Sequence, residues 1–421
     1  MCRRSKRKSL ITITRVAHMA SRKAFIAALL VSVFITVGSY FMNNQPIFTG
    51  ENAVAFALIE GVKSLVGISE QADSNVVYLN VSCDKEVVPF RGNLAEPVGK
   101  RDVVDRTMLL HLLSTLDSMH RVDEHTYKYV LMDIRFEEGY DSPVDSLLFP
   151  LIGSMEHIVV ANHRNITLSD DANLAPKAGM NDYLATVFNT SLVRYEYLQD
   201  GEKHSMPLMA YEGTTNHTID SHFGIYFDEG KLCQNSIFLQ FPVRRREAER
   251  ITGYDEEYGS YLLGNEILNK VPERPSGWLA DTLRVLCHDK IVVVGDMDDD
   301  VHDTYTGEVP GAVITYKAYE ALTQGKHLVN WWLVLVNTLV YFVIAFFLFR
   351  RGEFMHRFLP FLVKSPSKLV RFAGSLIRYG TMLLLYSVIL SLLFNVQCSF
   401  LFATLCFWII DILLNYKWFN K

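Results

Sequence analysis

An α/β domain displayed outside a membrane, tethered by four transmembrane α-helices, is the fold class this sequence predicts. Three observations predict it. Charge is divided unevenly along the chain; long apolar runs stand near both ends; and between them apolar, strand-like segments alternate with segments of helical period.

The 421 residues carry a formal charge of −5 and are 49% hydrophobic and 21% charged. That balance excludes disorder, collagen and a small disulfide scaffold. Residues 1–42 hold eight basic side chains and no acid, residues 43–327 hold 24 basic and 44 acidic, and residues 328–421 hold nine basic and two acidic. A near-neutral average therefore hides an acidic middle between two basic ends.

The apolar runs explain the division. Residues 24–42 and 329–349 lack any charge over 19 and 21 residues, and a helix of about 20 residues crosses the hydrocarbon core of a bilayer. The runs 379–396 and 399–414 are shorter, and Asp411 interrupts the last. The reading is a basic N-terminus (1–23), helix one (24–42), an outer domain (43–327), helix two (328–349), a basic loop (350–378), a helical hairpin (379–396 and 399–414) and a tail (415–421). Basic residues favour the cytoplasmic face, so the acidic domain belongs on the other side, periplasmic in an inner membrane. Ser39-Tyr40-Phe41-Met42 is too bulky for a signal-cleavage site, so the first helix reads as an uncleaved anchor. The cysteines Cys83, Cys233 and Cys287 fall in the outer region, where at most one disulfide can form.

Within that region 76–81, 127–134, 157–161 and 291–295 read as buried strands, the first apolar and β-branched, as in strands covered on both faces of a parallel sheet. Helical spacing marks 103–116, 145–153, 278–287 and 312–322. The alternating segments between 182 and 243 read as an antiparallel insertion.

The stretch DKIVVVGDMDDDVHDTYTGEVPGAVITYKAYEALTQGKHL (289–328) resembles the CHASE type 2 extracellular sensory domains. The family pattern there is a "G-K-I-V-V-V-G" strand, an acidic or polar loop ending in Asp, and a "P-G-V" helix start, and Gly295, Asp303, Pro310 and Gly311 occupy those positions. The segment 129–148 is similar to the family's "D-I-x-F…D" stretch through Asp133, Phe136 and Asp145, and Arg106 matches the Arg opening the first helix. The chain departs from the family at Val81-Ser82-Cys83-Asp84, where an acid usually ends the first strand, and in a longer insertion. The resemblance implies stimulus sensing by an outer domain between one anchor and three further helices. Family members usually continue into a cyclase, histidine kinase or diguanylate cyclase. Only seven residues follow Leu414, so a separate membrane kinase or cyclase is the expected partner. A homodimer is a further expectation; nucleic acid is not.

Two loops at strand ends carry the chemistry. Asp296, Asp298 and Asp300 after the 291–295 strand are hard oxygen ligands suited to Ca²⁺ or Mg²⁺. This is no EF-hand, since Val301 and Gly307 stand where Gly and Glu are needed. Asp133 and Arg135 end another strand and face the same crevice if the strands run parallel; with Asp145 and Asp303 they form the expected ligand site. A solvated acidic loop is the plain alternative. Asp296-Met-Asp298 also mimics the D-x-D of metal-dependent glycosyltransferases, which leaves an outer transferase or hydrolase as the enzyme alternative to a sensor, beside a structural or assembly role. Ser365-Pro-Ser-Lys368, Arg244-Arg245-Arg246 and the scattered histidines read as surface or core residues. Four N-x-[ST] sequons occur, at Asn80, Asn165, Asn189 and Asn216. Asp411, costly within a membrane helix, reads as snorkelling toward Asn415 and Lys417 or as a polar contact to another helix.

Overall fold

The computed structural model describes residues 2–43, 58–59, 73–90, 99–183, 194–199, 203–239, 254–255, 260–262, 277–305, 307–350, 368–394 and 400–419, with the side chains of 2–21, 43, 238, 254–262, 368–372, 391–394 and 415–419 excepted. The Asn189 sequon, Arg244–Arg246 and residues 365–367 lie outside that set. The chain forms two units, Glu60–Leu328 and a second made of Met1–Ile59 with Val329–Lys421.

The first unit is built on one sheet. Its strands are β1 (Val76–Asn80), β2 (Tyr129–Arg135), β3 (Ile158–Asn162), β4 (Ala178–Met180), β5 (Tyr254–Asp255), β6 (Ser260–Leu262) and β7 (Ile291–Gly295), in the order β5-β6-β1-β7-β2-β3-β4. All neighbours are parallel except β5 and β6. The apolar runs look continuous because successive side chains enter two different cores. Val77, Leu79, Val130, Met132, Val292 and Val294 face one way; Tyr78, Leu131, Val159, Ile291 and Val293 face the other. The first core is covered by α2 (Arg106–His120), α3 (Asp145–Ser154) and α5 (Trp278–Cys287). The second is covered by α4 (Met206–Thr215) and α6 (Gly311–Thr323). The expected mixed α/β content with a parallel sheet is present.

Several expectations are corrected. Residues 103–104 belong to a hairpin of Lys85–Phe90 with Gly99–Val104, and α2 starts later because Asp105 caps it, accepting from the amides of Thr107 and Met108 at 2.9 and 3.1 Å. The insertion holds a three-stranded antiparallel sheet (Ile219–His222, Ile225–Asp228, Lys231–Cys233), but also the helix α4, capped by Ser205 with a proline in its first turn. The disulfide question, open in the sequence, has its answer here: among the described residues no disulfide joins Cys83, Cys233, Cys287 and Cys406.

The second unit contains α1 (Cys2–Asn43), α7 (Trp331–Phe349), α8 (Lys368–Phe394) and α9 (Leu401–Phe419). Three of them are long and apolar enough to cross a membrane, over Arg22–Met42, Trp331–Phe349 and Ala373–Leu390; the apolar part of the fourth, Leu401–Leu414, is shorter. Ala28, Ile35, Tyr341, Ala345, Tyr379, Leu383 and Phe407 make its core, while Leu30, Phe34, Trp332 and Leu339 point outward, more than half exposed. Large apolar side chains exposed along the helices, around a core that includes small residues such as Ala28 and Ala345, suit a lipid surround.

Candidate functional site

Parallel pairing places Asp133, at the end of β2, directly beside Gly295, at the end of β7. On its other side β2 is irregular. Met132 pairs with Val160 of β3, yet the next pair is Arg135 with Ala161, so Asp133 lies in a bulge. Bulges re-aim side chains, and strand alternation sends Asp133 to the face covered by α6.

There Asp133 Oδ1 accepts from Asn181 Nδ2 at 2.8 Å. Asn181, only 1% exposed, uses its own Oδ1 to accept from Tyr195 at 2.8 Å and from Thr315 of α6 at 3.0 Å. Asp133 Oδ2 is buried without a hydrogen-bond partner, although the residue as a whole is partly accessible. Asp300 approaches from the loop after β7, its Oδ1 3.3 Å from His302 Nε2. The His302 ring meets Tyr183 edge-on at 4.4 Å, and Tyr183 donates to the carbonyl of Gly311 at 3.1 Å. His163, just beyond β3, lies 3.4 Å from Asp182.

Two glycines make this approach geometrically feasible. A Cβ on Gly311, the first residue of α6, would fall 2.7 Å from Asp300 Oδ2 and 3.3 Å from Asp133 Oδ2; one on Gly295 would fall 2.8 Å from Ala312 Cβ. The helix start therefore sits directly against both carboxyl groups, which is the physical content of the glycines in 289–328.

The two acids are tuned apart. Burial, and then the charge of Asp300, push Asp133 up to about 7, against smaller pulls from Asn181, His302 and Arg135. Burial also acts on Asp300, but the His302 hydrogen bond and the charges of His302, Arg135 and His163 outweigh it and hold Asp300 below the ordinary carboxylate range. His163 is lowered by burial and by Arg135. Near neutrality the site thus offers one carboxyl group that can gain or lose a proton, one carboxylate, and a guanidinium on the exposed Arg135.

The remaining candidates go elsewhere. Asp296 accepts from the amides of Asp298 and Asp299 at 3.0 and 2.8 Å and pairs with Lys85 at 2.5 Å. Asp298 accepts from Ser82 at 2.6 Å. These two brace the loop against the β1 side while Asp300 faces β2, so the expected Ca²⁺ or Mg²⁺ ligands do not share a centre; among the described residues no three His, Cys, Asp or Glu side chains are grouped to hold a metal. Asp303 is exposed, opposite Glu308 in the hairpin of Val301–Thr304 with Gly307–Pro310. Asp145 accepts from the Ser142 amide at 2.9 Å and pairs with Arg106, which lies over Phe136 and Phe149 in the other core. It buttresses α3 rather than joining Asp133.

In the helical unit Asp411 pairs with Arg378 at 3.1 Å, and both are buried. The basic loop expected to reach 378 therefore ends earlier, because α8 starts at Lys368 and carries Arg378 into the apolar stretch. Asp411 takes its polar contact from another helix of its own chain.

No family model, curated protein or solved structure matches this chain. Fold and composition define a membrane-associated protein with an α/β domain whose carboxyl-edge site is assembled from β2, β7 and α6.

Proposed function

We propose that this is a multi-pass membrane sensory protein of the CHASE type 2 kind, with four transmembrane helices and its α/β unit outside the cytoplasm of a bacterial inner membrane. In this reading the α/β unit detects a small polar solute at Asp133, Arg135 and Asp300 and relays occupancy to a separate kinase or cyclase. One observation carries the reading: Gly311, packed against both carboxyl groups, begins the helix that ends at Thr323, eight residues before the membrane-length helix opening at Trp331. A ligand that changes the charge or spacing of the acids acts on that helix start. Such a relay requires different affinities for two states.

Cross-linking and co-purification from native membranes test this. A kinase or cyclase is the expected catch, with its output altered by Asp133→Asn. Repeated recovery of the protein alone, with no change in any cellular signalling output, would replace sensing with a structural or assembly role.

One observation favours an enzyme instead. Two acids with separated affinities for protons are the arrangement of a general acid beside a carboxylate, which suits a hydrolase. That reading requires turnover of a substrate, abolished by both Asp133→Asn and Asp300→Asn. A sensor has no turnover to lose.

A further inference from the structure

The short segment between α6 and α7 is fastened to the antiparallel insertion. Helix α6 closes on Gly325, at a φ of +67° that favours glycine. From there the chain runs antiparallel to the strand Lys231–Cys233: Leu328 bridges to Cys233, and the Gln234 amide donates to the His327 carbonyl at 2.9 Å. The His327 side chain is 0% exposed. Its Nε2 lies 2.9 Å from Asp228 Oδ2, which also accepts from Tyr211 of α4 at 2.9 Å. His217 Nδ1 stands 3.2 Å from the other oxygen of Asp228 and 3.0 Å from the Tyr211 oxygen. The rings of Tyr197 and Tyr211 meet the imidazole edge-on at 6.2 and 5.7 Å.

A carboxylate only accepts, so Nε2 carries the proton of the neutral ring. Nδ1 is buried without a hydrogen-bond partner. A second proton has to sit on that nitrogen, as a donor with no acceptor and a cation out of water. Burial lowers the proton affinity of His327; the hydrogen bond and charge of Asp228 offset part of this, and His217 adds to the lowering. An imidazole in water titrates near 6.5. The tie therefore contributes in full above about 6.5 and loses its contribution as the pH falls below it. The groups around the ring do not take up the change. Burial pushes Cys233 up to about 12 and also raises Tyr197 and Tyr211, so all three stay neutral. Arg194 acts on Tyr197, Glu212 is engaged by His204 at 2.8 Å, and Glu229, Lys231 and Lys326 are exposed. We propose that His327 is an acid-released latch. A proton taken from solvent at Nδ1 frees the segment Gln324–Asn330, which runs directly into α7, from the insertion, while the seven-stranded sheet stays intact. The latch is independent of the solute site at Asp133, whose buried carboxyl group responds to acid with the opposite sign.

The test is hydrogen exchange of the full chain in detergent, read by mass spectrometry at pH 8 and pH 5 and corrected for the intrinsic pH dependence of exchange. Peptides covering 231–236 and 324–330 are expected to lose protection about tenfold in acid, while those covering β1 and β7 keep theirs. His327→Gln, which keeps a donor for Asp228 but does not titrate, is expected to abolish the difference. His222→Gln, on an exposed strand of the insertion, is expected to retain it. A second measurement needs no variant: across a series of pH values the loss in the wild-type chain should follow a single-proton curve with its midpoint below 6.5. Equal protection of the two peptides at both pH values overturns the proposal. So does the same acid loss in His327→Gln, an acid loss shared equally by β1 and β7, or a midpoint at or above 6.5.

Discussion

Asp133 is the residue on which the site turns, and its burial has a consequence for stability. In an unfolded chain its carboxyl group titrates near 3.9; in the folded one it does so at about 7. The folded protein therefore holds this proton more tightly. That contribution is full below the ordinary carboxyl range and is lost as the pH climbs through about 7. Asp133→Asn, which keeps an acceptor for Asn181 but never ionises, is expected to match the wild type in thermal unfolding at pH 4. It should exceed it at pH 8 by about 1–2 kcal/mol, given relaxation around the charged group. A constant gap across that range would mean that the carboxyl group ionises as it does in water. Asp133 and Asp300 are recognisable in the sequence because one ends an apolar run and the other lies in the loop just after one, and strand ends in parallel sheets frame crevices. Asn181, Asp182 and Tyr183 gave no such signal. The strand before them, Ala178–Met180, has three residues and a central glycine, too short for any periodicity to appear.

Among the elements, those buried on both sides were the most legible. Ile291–Gly295 and Trp278–Cys287 appear with the boundaries read from the sequence, since a two-sided core demands an unbroken apolar run and an amphipathic helix demands its stripe. The hairpin preceding α2 escaped because Gly99–Val104 is mostly exposed and charged. The start of helix α8 is hidden in the sequence for a different reason. Arg378 reads as the end of a cytoplasmic loop, because its partner inside the helical unit, Asp411, lies 33 positions later and leaves no local signal. That pair makes a quantitative prediction. Removing one partner strands the other charge in a low-dielectric interior, at about 3–5 kcal/mol, whereas replacing both with apolar residues of similar size is often near neutral. Arg378→Leu and Asp411→Leu are each expected to lower the melting temperature of the detergent-solubilised protein sharply, and the double variant to regain most of the loss. Additive losses in the double variant would show that the two charges do not interact.

For the whole molecule the decisive question is on which side of the bilayer the α/β unit stands, and the cysteines supply a means of asking. Cys233 and Cys287 are buried, and burial pushes both thiols up to about 12, so neither offers a thiolate to a reagent at neutral pH. Cys83 is exposed, in the turn after β1 that also supplies Ser82 to the acidic loop. A maleimide too polar to cross membranes therefore reports on Cys83 within this unit. Labelling of intact cells, and its loss in Cys83→Ser, is the expected outcome; the serine variant also subtracts any signal from Cys2, Cys398 and Cys406. Labelling of Cys83 that begins only after lysis would put the acidic unit in the cytoplasm, against the excess of arginine and lysine at both ends of the chain. A sensor of external solutes would then be ruled out, because Asp133 and Asp300 would face the wrong compartment, while the fold, the tuned acids and the paired charges of α8 and α9 would stand as described.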